Sequence, residues 1–222
     1  MDEREANTRH TVPRHHNDTM RHIYKVASLN INGIAHPTRI RMLEEFLWQQ
    51  DIDIALLQEV TNRAIENIRS YTKHINIGTD QRGTAILVKD GIQIRPIKRR
   101  PTGRGIAGVL EGIYLINIYA PSGAEKKSER ETFFNKDILP LLPNTRTEIL
   151  LAGDFNCVMT QAGTTGHTTH SKALDILIKG LNLKDTWNMT TTRHGYTHYT
   201  PKGAARLAYI CELSPHESKT RN

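Results

Sequence analysis

Ile149-Leu150-Leu151-Ala152-Gly153-Asp154-Phe155-Asn156 is the stretch from which the fold is read. An apolar run that ends abruptly in Gly-Asp reads as a buried strand delivering a carboxylate to the rim of a sheet. Ligands and metals bind at such rims in α/β proteins. Working outward, three more apolar runs end in the same manner. Ile23 to Leu29 stops at Asn30-Ile31-Asn32-Gly33, and Ile52 to Leu57 stops at Gln58-Glu59. Tyr114 to Tyr119 alternates and ends at Ala120-Pro121-Ser122-Gly123.

Between these strands the pattern changes period. Thr38 is expected to cap a helix whose Ile40, Leu43, Phe46 and Leu47 share one face. Thr84 to Val88 and Ile92 to Ile97 read as strands joined in a hairpin at Asp90-Gly91. A second helix is expected near Glu129 to Leu142. Ser171 opens a third, with Leu174, Leu177, Ile178 and Leu181 inward and a break near Gly180. Two short strands, Tyr196 to Tyr199 and Arg206 to Cys211, close the pattern. No repeat or linker interrupts it, so residues 22–212 read as one α/β domain with both pairing senses. Residues 1–21 read as a disordered polar arm and 213–222 as a disordered tail. The histidines of the first segment (His10, His15, His16, His22) read as solvated rather than metal-binding.

Composition narrows the function classes. A formal charge of +7 favours polyanionic partners, nucleic acid or an anionic membrane. Cys157 and Cys211 are too few for a disulfide framework or a thiolate metal site. No apolar stretch is long enough to span a membrane and no signal-peptide pattern opens the chain, so an intracellular, reducing compartment is expected and the sequons at Asn17 and Asn188 read as chance.

The four strand ends carry Asn30, Glu59, Tyr119 and the Asp154/Asn156 pair. If the strands lie side by side, these residues crowd one edge and suit a hard-cation phosphoester site. Mg²⁺ takes one or two carboxylates, keeps several waters and lets a substrate phosphate complete its shell. Glu59 is the first choice for the metal carboxylate, and Asp154 for the base that activates water. Asn30, Asn156 and the Tyr119 phenol can hold phosphate oxygens as charge grows on them. Taken singly, each has a plainer reading. Gln58-Glu59 can be a polar strand exit, Tyr119 core packing with a wet hydroxyl, and Asn30 or Asn32 turn formers.

The segments Ser28 to Gly33, Leu57-Gln58-Glu59, Gly83 to Val88, Asn117 to Pro121 and Gly153 to Asn156 resemble the endonuclease/exonuclease/phosphatase superfamily. More closely, they resemble the apurinic-like endonuclease domain of non-LTR retrotransposons. The likeness runs from about Ile23 to Cys211, and Asp185-Thr186-Trp187 and Tyr196-Thr197-His198-Tyr199 are similar to arthropod-type elements. It implies a four-layer α/β sandwich, two mixed β-sheets flanked by helices. It also implies Mg²⁺-dependent (or Mn²⁺-dependent) nicking of DNA to leave a 3′-hydroxyl, in a monomeric domain fused to a reverse transcriptase and working in the nucleus, with no membrane or small-molecule cofactor. By motif, Asn30 and Asn156 match phosphate-site asparagines, Glu59 the metal glutamate, Tyr119 the phosphate-orienting tyrosine and Asp154 the residue that activates water. Thr197 falls where the family has a threonine near the DNA backbone, and Asn32 where the repair enzymes carry an aspartate.

Two departures stand out. Where the family reads Ser-Arg-Ile/Leu-Asp-x-Ile, this chain reads Ala205-Arg206-Leu207-Ala208-Tyr209-Ile210, so Ala208 replaces the Asp that pairs a later catalytic His. No Ser-Asp-His follows, and Ser214-Pro215-His216 is only a weak echo. We read a truncated domain lacking its final strand, in which any remaining activity would need another group, such as His198 or His216, in place of the lost pair. Three functions follow: an impaired endonuclease, a non-catalytic remnant that binds nucleic acid through Lys98, Arg99, Arg100 and Arg104, or a phosphoesterase of the same superfamily with another substrate. The basic cluster also reads as a solvated loop.

Overall fold

Strand pairing divides the chain at Asp90-Gly91. The computed structural model of the protein describes residues 23–34, 36–61, 65–145, 147–159, 170–186, 197–200 and 203–213. Four strands precede the division: β1 (Val26–Asn30), β2 (Ile54–Val60), β3 (Tyr71–Ile77) and β4 (Gly83–Lys89). They form one sheet in the order β1-β2-β4-β3, with β1 and β2 parallel. The strands that follow are β5 (Arg95–Arg99), β6 (Gly105–Leu110), β7 (Ile113–Tyr119), β8 (Ile149–Asp154), β9 (Leu183–Asp185), β10 (His198–Thr200), β11 (Gly203–Ala205) and β12 (Ala208–Leu213). Six of them make the second sheet, β5-β6-β7-β8-β12-β9, in which β7 and β8 are parallel. β10 and β11 form a separate small ribbon.

Period-two alternation explains how the sheets stack. On β2, Ile54 and Leu56 face the second sheet, where they meet Ile106, Leu110, Leu115 and Ala152. Ala55 and Leu57 face the other way, onto Leu43 and Leu47 of helix α1 (Pro37–Gln49). The outer face of the second sheet, with Ile116, Ile118 and Leu151, packs on Phe133, Phe134, Leu174 and Leu177. These residues belong to α2 (Lys127–Thr132) with its continuation, and to α3 (Lys172–Gly180). The result is helix, sheet, sheet, helix, the two-sheet α/β sandwich expected from the sequence.

Several local expectations are corrected. His36, not Thr38, caps α1: its Nδ1 accepts from the Thr38 amide at 3.3 Å, and Pro37 fills the first helical position, where no N–H is needed. Phe46 lies at the margin of the buried arc and is 40% exposed. Asp90-Gly91 is no hairpin, because β4 and β5 belong to different sheets. The helix expected over Glu129 to Leu142 breaks into α2, a π-helical turn (Phe133–Asp137) and a 3-10 turn (Leu139–Leu141). The wide π turn lets consecutive Phe133 and Phe134 both point inward, their rings edge to face at 5.3 Å. Ser171 does cap α3 as expected, its Oγ accepting from the Leu174 amide at 3.1 Å. The histidines at positions 10, 15, 16 and 22, the side chain of His198, and residues Tyr196 and His216 lie outside the described residues.

Candidate active site

β1 and β2 run parallel, as do β7 and β8, so all four carry their C-terminal residues to one rim of the sandwich. Just beneath that rim a buried amide pair links the sheets. Gln58 Nε2 donates to Asn117 Oδ1 at 2.7 Å, and Asn117 Nδ2 donates to the Leu57 and Ala85 carbonyls at 2.9 and 2.8 Å. Both side chains sit on the inner faces of their strands, where an unpaired amide would cost about 1–3 kcal/mol. Their pairing fixes the register of one sheet on the other, and with it the separation of the site residues above.

Those residues meet as the sequence suggested. Asn30 Nδ2 donates to Glu59 Oε1 at 3.0 Å and to Asp154 Oδ2 at 2.9 Å, so one amide nitrogen joins carboxylates from different sheets. The amide cannot turn over, because Asn30 Oδ1 accepts from the Asn32 backbone N–H at 2.9 Å. Asn32 (φ +47°) therefore enters the site through its backbone. Glu59 sits in a β-bulge between Gln58 and Val60 with φ +54°, which lifts it out of the ladder and aims its carboxylate at the rim. The Tyr119 hydroxyl donates to Glu59 Oε1 at 3.1 Å. Burial, then the neighbouring Glu59 charge, pushes the Tyr119 phenol above its usual range, so it remains a donor.

Asp154 stands beside Tyr119 in the parallel ladder. Its Oδ1 accepts from the Asn156 backbone N–H at 3.0 Å, and Asn156 Nδ2 donates to the Ala120 carbonyl at 2.9 Å. Gly153 (φ +140°) makes this approach possible, since a Cβ there would lie 2.0 Å from the Ile118 carbonyl oxygen. Phe155 is wholly buried and anchors the turn against Phe134 and Tyr209.

Thr197 and Ala208 lie on the far side of Asp154. The Thr197 Oγ1 accepts from the Leu207 and Ala208 amides at 2.9 and 3.1 Å, holding the start of β12. The register of β12 on β8 then sets Ala208 directly opposite Asp154. The basic cluster disperses. Lys98 Nζ donates to the Leu142 carbonyl and Arg99 Nε to the Ile75 carbonyl, while Arg104 reaches the site, its guanidinium 5.0 Å above the Tyr119 ring.

Two participants escaped sequence reasoning. Arg82, in the turn between β3 and β4, donates from Nη1 to Glu59 Oε2 at 2.7 Å. Nothing in Asp80-Gln81-Arg82-Gly83 signals that reach. Arg206 forms a buried ion pair with Asp185, and its guanidinium packs on the Tyr209 ring at 4.8 Å. That pair ties β9 to the approach of β12. The Asp185-Thr186-Trp187 motif was visible in the sequence, but its partner was not.

The donor set fits a hard divalent cation. Glu59 and Asp154 offer oxygen only, and among the described residues no cluster of three or more His, Cys, Asp or Glu could hold a metal by itself. A site with few carboxylates that leaves room for water and phosphate is what Mg²⁺ accepts. Burial raises both thiols, that of Cys157 to about 12, so neither cysteine is a nucleophile at neutral pH.

Comparison with solved structures gives the same architecture. An AP endonuclease from Archaeoglobus fulgidus superposes with a TM-score of 0.68 at 19% identity, covering 86% of this chain and 87% of that one. The 3′ phosphatase NExo from Neisseria, bound to product DNA hairpin, gives 0.68 at 18% identity with the same coverage of 86% and 87%. A truncated Caenorhabditis elegans TDP2 gives 0.58 at 19%, covering 86% and 84%. At such identities the likeness is one of fold. The sequence itself matches a family over residues 27–207, from β1 to the start of β12. The chain belongs to the endonuclease/exonuclease/phosphatase family.

Proposed function

We propose that the chain is a divalent-metal-dependent DNA endonuclease of retrotransposon origin, slowed by the loss of its Asp–His pair. The observation that carries this reading is the Asn30 bridge between Glu59 and Asp154. It holds a metal-binding carboxylate and a water-activating carboxylate at a set spacing, each supplied by a different sheet. The DNA-processing relatives of the same fold, one of them bound to product DNA hairpin, support DNA as the substrate class. The net charge of +7 points the same way.

Glu59 would hold Mg²⁺ or Mn²⁺, which when bound offsets the charge that builds on the phosphate oxygens. Asp154 accepts a proton from the attacking water, whose oxygen bonds to phosphorus as the P–O3′ bond breaks; the departing 3′ oxygen takes up a proton and remains as a hydroxyl. Tyr119 and Asn156 lie on either side of Asp154 and orient the phosphate. Asn30, with both amide hydrogens engaged, positions the carboxylates rather than gripping the phosphate. Thr197 braces β12 beside the path of the DNA backbone. The methyl of Ala208 cannot orient an imidazole, and loss of one preorganised donor slows such reactions about a hundred- to a thousandfold. The reading extends to a monomeric nuclear domain once joined to a reverse transcriptase.

Supercoiled plasmid incubated with the protein and Mg²⁺ is the test, with Asp154→Ala in parallel. Nicking that depends on Mg²⁺ and disappears in Asp154→Ala supports the endonuclease. Equal nicking by both proteins refutes the assignment. Ala208 beside Asp154 also favours a second reading, a DNA-binding remnant. Salt-sensitive DNA binding with no nicking by the folded protein would select it. Hydrolysis of a soluble phosphoester but not of DNA would select a different substrate.

A further inference from the structure

Every oxygen that Glu59 could offer a metal already has a donor. Oε1 accepts from Asn30 and Tyr119, and Oε2 accepts from Arg82 alone, at 2.7 Å. The first two donors are fixed: Asn30 by its bond from the Asn32 amide, Tyr119 by burial. Arg82 is different. Its side chain is 50% exposed while that of Glu59 is 13% exposed, so the guanidinium approaches the carboxylate from the solvent side, where a cation would enter.

The turn that carries Arg82 is firmly built. The Gly78 amide donates to the Arg82 carbonyl at 3.0 Å, and the Arg82 amide donates to Asp80 Oδ1 at 3.2 Å. Asp80 also pairs through Oδ2 with Arg104 at 3.7 Å, and Arg104 lies over the Tyr119 ring. One turn thus sets two guanidinium groups beside the rim, with Arg82 free to swing on a fixed backbone. A guanidinium presents a planar fork that matches phosphate oxygens as well as carboxylate oxygens.

We infer that Arg82 competes with the divalent cation for Glu59 and, once displaced, turns its guanidinium to a phosphate oxygen of the bound strand. Arg82 is in this sense a positioning residue that exchanges one anion for another. The inference rests on the assignment of Glu59 as the metal carboxylate in the proposed function.

Mn²⁺ binding to the protein alone, followed by calorimetry or by the loss of the free-ion paramagnetic signal, tests it without turnover. Arg82→Met should tighten Mn²⁺ binding about two- to fivefold, the range for removing a half-exposed ion pair. It should also weaken binding of a DNA duplex in Ca²⁺ by a similar factor. Arg82→Lys, which keeps the charge on a shorter reach, should fall between the parent and Arg82→Met in both measurements. Arg82 is half exposed, and a far-ultraviolet spectrum matching the parent's confirms that each variant is folded. Unchanged or weaker Mn²⁺ binding in Arg82→Met overturns the inference, as does unchanged DNA affinity. Glu59→Gln separates the two claims. If it abolishes Mn²⁺ binding while Arg82→Met changes nothing, the exchange is wrong and the metal site stands. If parent and Glu59→Gln bind Mn²⁺ alike, the metal assignment fails and the inference with it.

Discussion

Replacing Asn30 by Asp converts the amide nitrogen that bridges Glu59 and Asp154 into a third acceptor, 3.0 and 2.9 Å from theirs. At an effective dielectric of about 20, like charges roughly 3 Å apart repel by about 5 kcal/mol, and the new carboxylate faces two of them. Protonation limits the damage: keeping a carboxyl of ordinary pKa about 3.9 in its acid form at about pH 7.5 costs roughly 5 kcal/mol. The nearby donors Tyr119 and Arg82 soften the repulsion. We expect Asn30→Asp to lower the unfolding free energy by about 3–5 kcal/mol near pH 7.5 in EDTA. The introduced carboxyl has a folded pKa above its unfolded one, so the folded state binds the extra proton. The deficit therefore shrinks as pH falls, by at most about 1.4 kcal/mol per pH unit, and most of it is gone near pH 5. Urea unfolding followed by circular dichroism from about pH 5 to pH 8 measures this, with Asn30→Ala as the uncharged control. Adding Mn²⁺ should restore much of the loss, since a third carboxylate is also a ligand. If Asn30→Asp and Asn30→Ala run parallel across pH, Asn30 does not lie between two carboxylates and the reasoning fails.

Two further outcomes follow from buried groups. Arg206→Met removes the cation beside buried Asp185 and should cost about 3–5 kcal/mol in urea unfolding, while adding Asp185→Asn should recover part of that loss; a strictly additive double variant would show the pair to be uncoupled. Burial raises Cys157 from 9.0 and Tyr209 from 10.0, each to about 12, so their contribution to stability is intact below about pH 9 and fades as pH rises towards 12. Urea midpoints should fall steadily above about pH 9, less steeply in Cys157→Ala, and a flat profile would contradict the burial of these groups.

The sequence disclosed β2, β7 and β8 because these strands are buried on both faces: β2 and β8 open as apolar runs, and β7 alternates between residues of two buried faces. It missed β3, whose Tyr71-Thr72-Lys73-His74-Ile75 mixes polar and apolar residues on a strand at the sheet edge. It also missed β6, where Gly105 and Gly108 dilute the pattern, although Gly105 has a packing reason: a Cβ there would press on Leu141 at 2.5 Å. The Asp90-Gly91 error has a similar source. A turn signal says that the chain reverses, not which sheet receives it. Asn30, Glu59, Tyr119, Asp154 and Asn156 were legible as types and positions, and the structure brings them together. What could not be read was who donates to whom. That Asn30 spends its amide on carboxylates, and that Arg82 arrives from a turn 23 residues away from Glu59, depends on the docking of two sheets.

The division of the chain at Asp90-Gly91 bears on how the molecule assembles. Every strand of the first sheet is drawn from before that turn and every strand of the second from after it, so each half can gain most of its pairing early and from nearby sequence. The carboxylates, however, come one from each half, and the bond that joins Asn30 to Asp154 spans 124 residues. Contacts of such long range are slow to form. The cluster of rim residues therefore exists only where both halves are folded and docked on one another.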